Sequence, residues 1–153
     1  MNLVIISLHH RLPTWVSEQS ETYHQRLPRE WPLKFIDLKP LGDHHTSVPK
    51  TLEKEAKKIT ASIPAQHLLC VLDEQGENMS SVGFSQWIDH LQGQPVCFVI
   101  GSADGLDPNL KTRAHKRLSL SPMTLPHLMI RVILLEQIYR AYTLLNGHPY
   151  HRE

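Results

Sequence analysis

Five short apolar runs recur along the chain, separated by longer segments in which apolar residues return every three or four positions. Leu3–Leu8 (LVIISL) and Val96–Ile100 (VCFVI) are unbroken runs of strand length, the pattern of strands buried on both faces. Leu33–Leu38 (LKFIDL) and Leu68–Leu72 (LLCVL) predict two more strands, and Arg117–Leu120 a brief fifth. Pro13 opens a helix that runs to about Leu27, with Trp15, Tyr23 and Leu27 on one face and Pro28 as its stop. Leu52, Ala56, Ile59 and Ile63 share a face of a second helix, whose other face is charged through the Glu53 and Lys57 spacing. Phe84, Trp87, Ile88 and Leu91 form the apolar stripe of a third. A short basic helix falls near Pro108–Lys116, and the longest runs from about His127 to Leu145. Strands alternating with helices define an α/β fold around a mostly parallel sheet. With 153 residues and no repeat or low-complexity stretch, one domain is expected.

Composition narrows this picture. Hydrophobic content of 41% and charged content of 20% are those of a soluble globular protein. No stretch approaches the roughly 18 apolar residues of a membrane span. The Met1–Ile6 segment has neither a basic leader nor a small-residue cleavage site, so it reads as a strand and a cytoplasmic location is expected. Cys70 and Cys97 each lie inside an apolar run and are expected to be buried free thiols. Charge is unevenly divided. Residues 111–153 hold seven Lys/Arg against two acidic residues, a net of +5, whereas residues 1–110 hold nine against thirteen, a net of −4. A basic half is the footprint expected where a polyanion docks, with chance distribution of solvated charge as the competing reading.

Ligands of open α/β sheets bind beyond the carboxyl ends of the strands. Three segments qualify: the turn after Leu72, Gly101–Gly105 and Ser121–Pro126. The glycines at 101 and 105 permit close backbone approach to a ligand, although an ordinary tight turn would look the same, and neither nucleotide-binding glycine fingerprint is present. Pro122 and Pro126 stiffen the third segment into a frame of unpaired backbone groups suited to a planar ligand. The final helix is polar only at Arg131, Glu136, Gln137 and Arg140, so either it is a central core helix or a second copy of the chain covers its outer side. His148 and His151 stand at metal-ligand spacing, but Pro149 interrupts any helix through them and no third ligand is near, so no metal is expected. His44 and His45 lie in a polar loop and are expected to be solvated. No nucleophile elbow or Cys/His pair is present.

The C-terminal stretch SPMTLPHLMIRVILLEQIYRAYTLLNGHPYHRE closely resembles the end of the ribosomal RNA large subunit methyltransferase H family, of the SPOUT class of knotted methyltransferases. FVIGSADGL at 98–106 resembles that family's glycine-loop motif, and the element order and length match over the whole chain. The family usually has two successive glycines where this chain has Gly101 and Ser102, and a glycine turn where it has Leu8, His9 and His10. The resemblance implies a SPOUT fold with a C-terminal trefoil knot. It also implies a homodimer that transfers the methyl of S-adenosylmethionine to N3 of a pseudouridine in 23S rRNA on the 70S ribosome. Mapped onto this chain, the cofactor would contact Leu72, Gly101, Ser102, Ser121, Pro122, Met123, Thr124, Leu125 and Pro126. Tyr150, His151 and Arg152 would form the catalytic tail, with His151 the candidate base for the N3 proton. RNA contacts are expected at His10, Arg11, Arg131 and Arg140.

Overall fold

The computed structural model describes residues 1–42 and 45–152. His44, expected to be solvated, therefore lies outside the described residues. Its frame is one sheet of five parallel strands, β1 (Leu3–Leu8), β2 (Leu33–Leu38), β3 (Leu68–Asn78), β4 (Val96–Ile100) and β5 (Lys116–Ser119), in the order β2-β1-β4-β3-β5. The helices are α1 (Thr14–Arg26), α2 (Val48–Ser62), α3 (Ser81–His90), α4 (Pro108–Arg113) and α5 (His127–Leu145).

Alternation along the strands sends successive side chains to opposite faces. Leu3, Ile5, Phe98 and Ile100 join Phe84 and Ile88 of α3 and Leu134, Leu135 and Ile138 of α5 in one core cluster. Val4, Ile6, Leu8, Cys97 and Val99 join Ile59 of α2 and Leu110 of α4 in the other. Cys70 and Cys97 are free, buried and in different clusters; burial pushes the Cys97 thiol up to about 12.

Three details depart from the sequence pattern. Trp15 is 44% exposed, because the inward stripe of α1 is Val16, Ser20 and Tyr23, continued by Leu27 just past its end. Ser20 faces inward because its hydroxyl accepts a hydrogen bond from the buried Arg131. The segment after Leu72 is an irregularity within a longer β3: Leu118 of β5 pairs with both Leu72 and Glu77. Gly76 makes that return possible, since a Cβ there would lie 2.8 Å from the Arg117 carbonyl.

The third departure removes a functional expectation. Arg131 is only 2% exposed and is not available to RNA. Its guanidinium donates to the Ser7 hydroxyl at 2.9 Å, to the Ser20 hydroxyl at 3.1 Å and to the Asp37 carboxylate at 2.5 Å, and lies over the Phe35 ring at 4.2 Å. A buried charge persists only when so bonded. It ties α5 to α1, β1 and β2. Burial raises the Asp37 pKa, but the hydrogen bond and charge of Arg131, joined by His9, outweigh it and hold the carboxyl below its ordinary value.

Candidate active site

The irregular middle of β3 at Leu72–Glu74 and the carboxyl ends of β4 and β5 open into a cavity of about 600 Å³, closed on the far side by the segment 119–126 and the first turn of α5. Backbone geometry shapes its floor. Gly105 donates its N–H to the Ser102 carbonyl at 2.9 Å and adopts φ +90°, a left-handed conformation suited to glycine. That turn brings the Gly105 carbonyl over Gly101, where a Cβ would meet its oxygen at 2.4 Å. On the opposite wall the Ser119 hydroxyl donates to the Ser121 carbonyl, the Met123 N–H donates to the Ser121 hydroxyl, and the Thr124 hydroxyl donates to Glu74 at 3.0 Å.

Leu72, Gly101, Ser102, Ser121, Met123, Thr124, Leu125 and Pro126 all line this one cavity; Pro122 does not. The pattern did not single out Asp73, Lys111 or His127, which also line it. Asp73 is buried and accepts from Arg117 at 2.6 and 3.1 Å and from Lys111 at 3.1 Å. Burial raises its pKa, yet the bonds from Arg117, Lys111 and the Gln75 N–H prevail and hold it low. Burial, followed by the charge of His9, lowers the His127 pKa.

Asp37 and Asp73 therefore stabilise the fold as carboxylates. Their contribution is complete above the unfolded carboxyl pKa of about 3.9 and is lost as pH falls through the lower folded values. The urea midpoint is expected to be lower at about pH 2.5 than at about pH 6. Asp73→Asn should start less stable at the higher pH and lose less on acidification, and an unchanged pH slope would contradict this account.

The C-terminal tail lies elsewhere. Tyr150 donates its hydroxyl to Glu136 at 3.2 Å and packs edge-on against Tyr139 with ring centres 4.8 Å apart. Arg140 pairs with Glu136, sits over the Tyr150 ring at 4.9 Å and reaches His151 Nδ1 at 3.0 Å. Burial, then the Tyr23 hydroxyl and Glu136, push the Tyr150 phenol up to about 12. A guanidinium only donates, so His151 Nδ1 is the acceptor and the neutral ring carries its proton on Nε2, which is buried without a hydrogen-bond partner among the described residues. Arg152 is exposed. None of the three tail residues lines the cavity of its own chain. From His127 at the cavity to Arg140 is roughly 20 Å along α5.

Charge pairing accounts for most of the basic half. Lys111 and Arg117 are paired with Asp73, Lys116 with Glu77, Arg131 with Asp37 and Arg140 with Glu136. Arg140 is thus held in the tail cluster rather than presented as a free RNA contact. Among the described residues Arg113 and Arg152 have no ion pair, and His10 and Arg11 are exposed.

A parallel sheet with a glycine-floored cavity beyond its carboxyl ends and a proline-framed wall defines the class: the family model described as "Predicted SPOUT methyltransferase" matches residues 1–151, and the chain belongs to that family. Within it, the ribosomal RNA large subunit methyltransferase H of Chromobacterium violaceum is 43% identical over 158 residues, covering all of both chains. Those of Polynucleobacter asymbioticus and Burkholderia cenocepacia are each 41% identical over 155 residues, covering at least 99% of both chains. Such identity along the whole length places the chain in the ribosomal RNA large subunit methyltransferase H family.

Proposed function

We propose that this chain is a cytoplasmic, homodimeric S-adenosylmethionine-dependent methyltransferase acting on N3 of a pseudouridine in 23S rRNA of the assembled 70S ribosome. The observation that carries the reading is the gathering of the glycine loop and the 121–126 frame around one cavity, in a chain whose relatives bear the rRNA methyltransferase name. The cavity volume lies within the range of about 300–1,000 Å³ typical of cofactor sites. The close packing of Gly105 and Leu106 on Gly101 leaves no room for a side chain in this part of the cavity floor. Exposed carboxylates at Glu74 and Asp104 on its wall suit a cationic ligand. The C-terminal trefoil knot belongs to this reading.

The cofactor supplies an electrophilic methyl on a sulfonium. The chain's residues have to orient the base in line with it, exclude water and accept the N3 proton. With Nδ1 of His151 engaged by Arg140, the ring offers Nε2–H as a donor; service as a base requires releasing Nδ1 from that contact. Tyr150 provides an aromatic face for an unstacked base, and Arg152 a cation for a phosphate or for charge on the uracil ring. His10, Arg11 and Arg113 supply further exposed groups for phosphates.

Since the tail docks away from its own cavity, a second copy completes the site. The exposed Met123 and Met129, beside the cavity at the start of α5, are the surface such a copy would cover. Light scattering is expected to give twice the chain mass of 17.6 kDa; a mass near 17.6 kDa would overturn the dimer. The activity is tested by incubating the protein with methyl-labelled S-adenosylmethionine and 70S ribosomes from a strain lacking this modification. Label should enter 23S rRNA at a single pseudouridine, and its absence would sink the assignment.

A further inference from the structure

The cavity floor is held from behind by a carboxylate that no sequence pattern marked. Glu55 lies on α2 and is only 2% exposed. One of its oxygens accepts from the Ser102 hydroxyl at 3.2 Å and the other from the Leu41 N–H at 2.9 Å. Burying a carboxylate is unfavourable unless its oxygens are bonded, so a helix that needed only packing at this position would be better served by an apolar residue. Ser102 is itself 9% exposed and is tied at two points: its carbonyl accepts from Gly105 N–H, and its hydroxyl reaches α2. The Ser102 hydroxyl is thereby directed toward α2.

We propose that Glu55 is a positioning residue for the methyl donor. Through the Ser102 hydroxyl it fixes the 101–105 turn against α2, and through Leu41 it links that turn to the segment following β2. The proposal rests on the methyl-donor reading of the cavity, and it makes a claim about loop order that can be read without the donor.

The test compares wild type, Glu55→Ala, Ser102→Ala, the double variant and Glu55→Gln. Glutamine keeps an oxygen for Leu41 and offers an amide donor to the Ser102 hydroxyl, so it should rescue the geometry. Calorimetric titration with S-adenosylmethionine should show each alanine variant binding about tenfold more weakly. The double variant should be no weaker than the worse single by more than about threefold. Glu55→Gln should stay within about threefold of wild type. Amide hydrogen exchange of residues 102–105 in the free protein should quicken in both alanine variants and not in Glu55→Gln.

Unchanged donor affinity and unchanged loop exchange in folded Glu55→Ala would overturn the proposal, even with a lowered melting temperature. So would additive losses in the double variant. Should Glu55→Ala fail to fold, Ser102→Ala decides by the same two readouts. If wild type binds no donor, the methyl-donor reading fails and the positioning claim falls with it, while faster exchange in Ser102→Ala would leave the loop latch established on its own.

Discussion

Replacing His151 with alanine should lower methyl transfer at least about a hundredfold while leaving donor affinity within about twofold, the signature of a group that handles a proton and stays off the donor. The reason is spatial. In a single chain the tail is docked on the middle of α5 by Arg140, Glu136 and Tyr139, and none of Tyr150, His151 and Arg152 lines the cavity. Single-turnover transfer to 70S ribosomes and calorimetry on the same preparations separate the two quantities. Equal loss of both would mean that the tail shapes the donor pocket instead. The same geometry predicts complementation. His151→Ala mixed with a cavity-defective variant should recover roughly a quarter of wild-type activity if dimers form at random and each site combines one chain's cavity with the other's tail. No recovery from subunits known to exchange would count against a shared site.

Gly101→Ala is the second large effect. Its Cβ would sit 2.4 Å from the Gly105 carbonyl oxygen and 2.9 Å from Leu106 Cγ, so the turn has to open. Overpacking of this kind costs on the order of 1–3 kcal/mol. Taken from the floor of the cavity, that range corresponds to a loss of about 5- to 150-fold in donor affinity. Gly105→Ala provides the contrast. Nothing lies within 4 Å of a Cβ there, and the penalty is only that of φ +90°, on the order of 1–2 kcal/mol. Donor titrations on both, alongside melting curves, distinguish crowding of the cavity floor from general backbone strain. Wild-type affinity in folded Gly101→Ala would remove the cavity from consideration as the donor site.

Much of this site was legible from spacing and resemblance. The glycine loop and the proline-framed segment carry their own signals, because backbone freedom at Gly101 and Gly105 and backbone restriction at Pro122 and Pro126 are local properties. Arg131 was not legible. An arginine in a long apolar helix reads as a cation on a surface until Ser7, Ser20 and Asp37, from three other elements, are placed around it. Glu55 failed for the mirror-image reason. It belongs by composition to the charged face of α2, and only its bonds from Leu41 and from Ser102, 47 residues away, reveal its orientation inward. The basic half was a correct count, but Asp37, Asp73 and Glu77 from the other half meet four of its cations, so the count by itself did not show which of them are free.

What the chain determined by itself was what short-range periodicity can encode: five strands, the helices between them, and the parallel α/β class that follows from their alternation. The periodicity that marks each element is carried by neighbouring residues, so it is legible without the fold. Tertiary structure decided which charges are neutralised, that the strand after Leu72 continues through a bulge to meet β5 again, and that the tail rests away from its own cavity. Each of these depends on pairs separated by tens of residues, whose energies exist only once burial and proximity have removed water from between them.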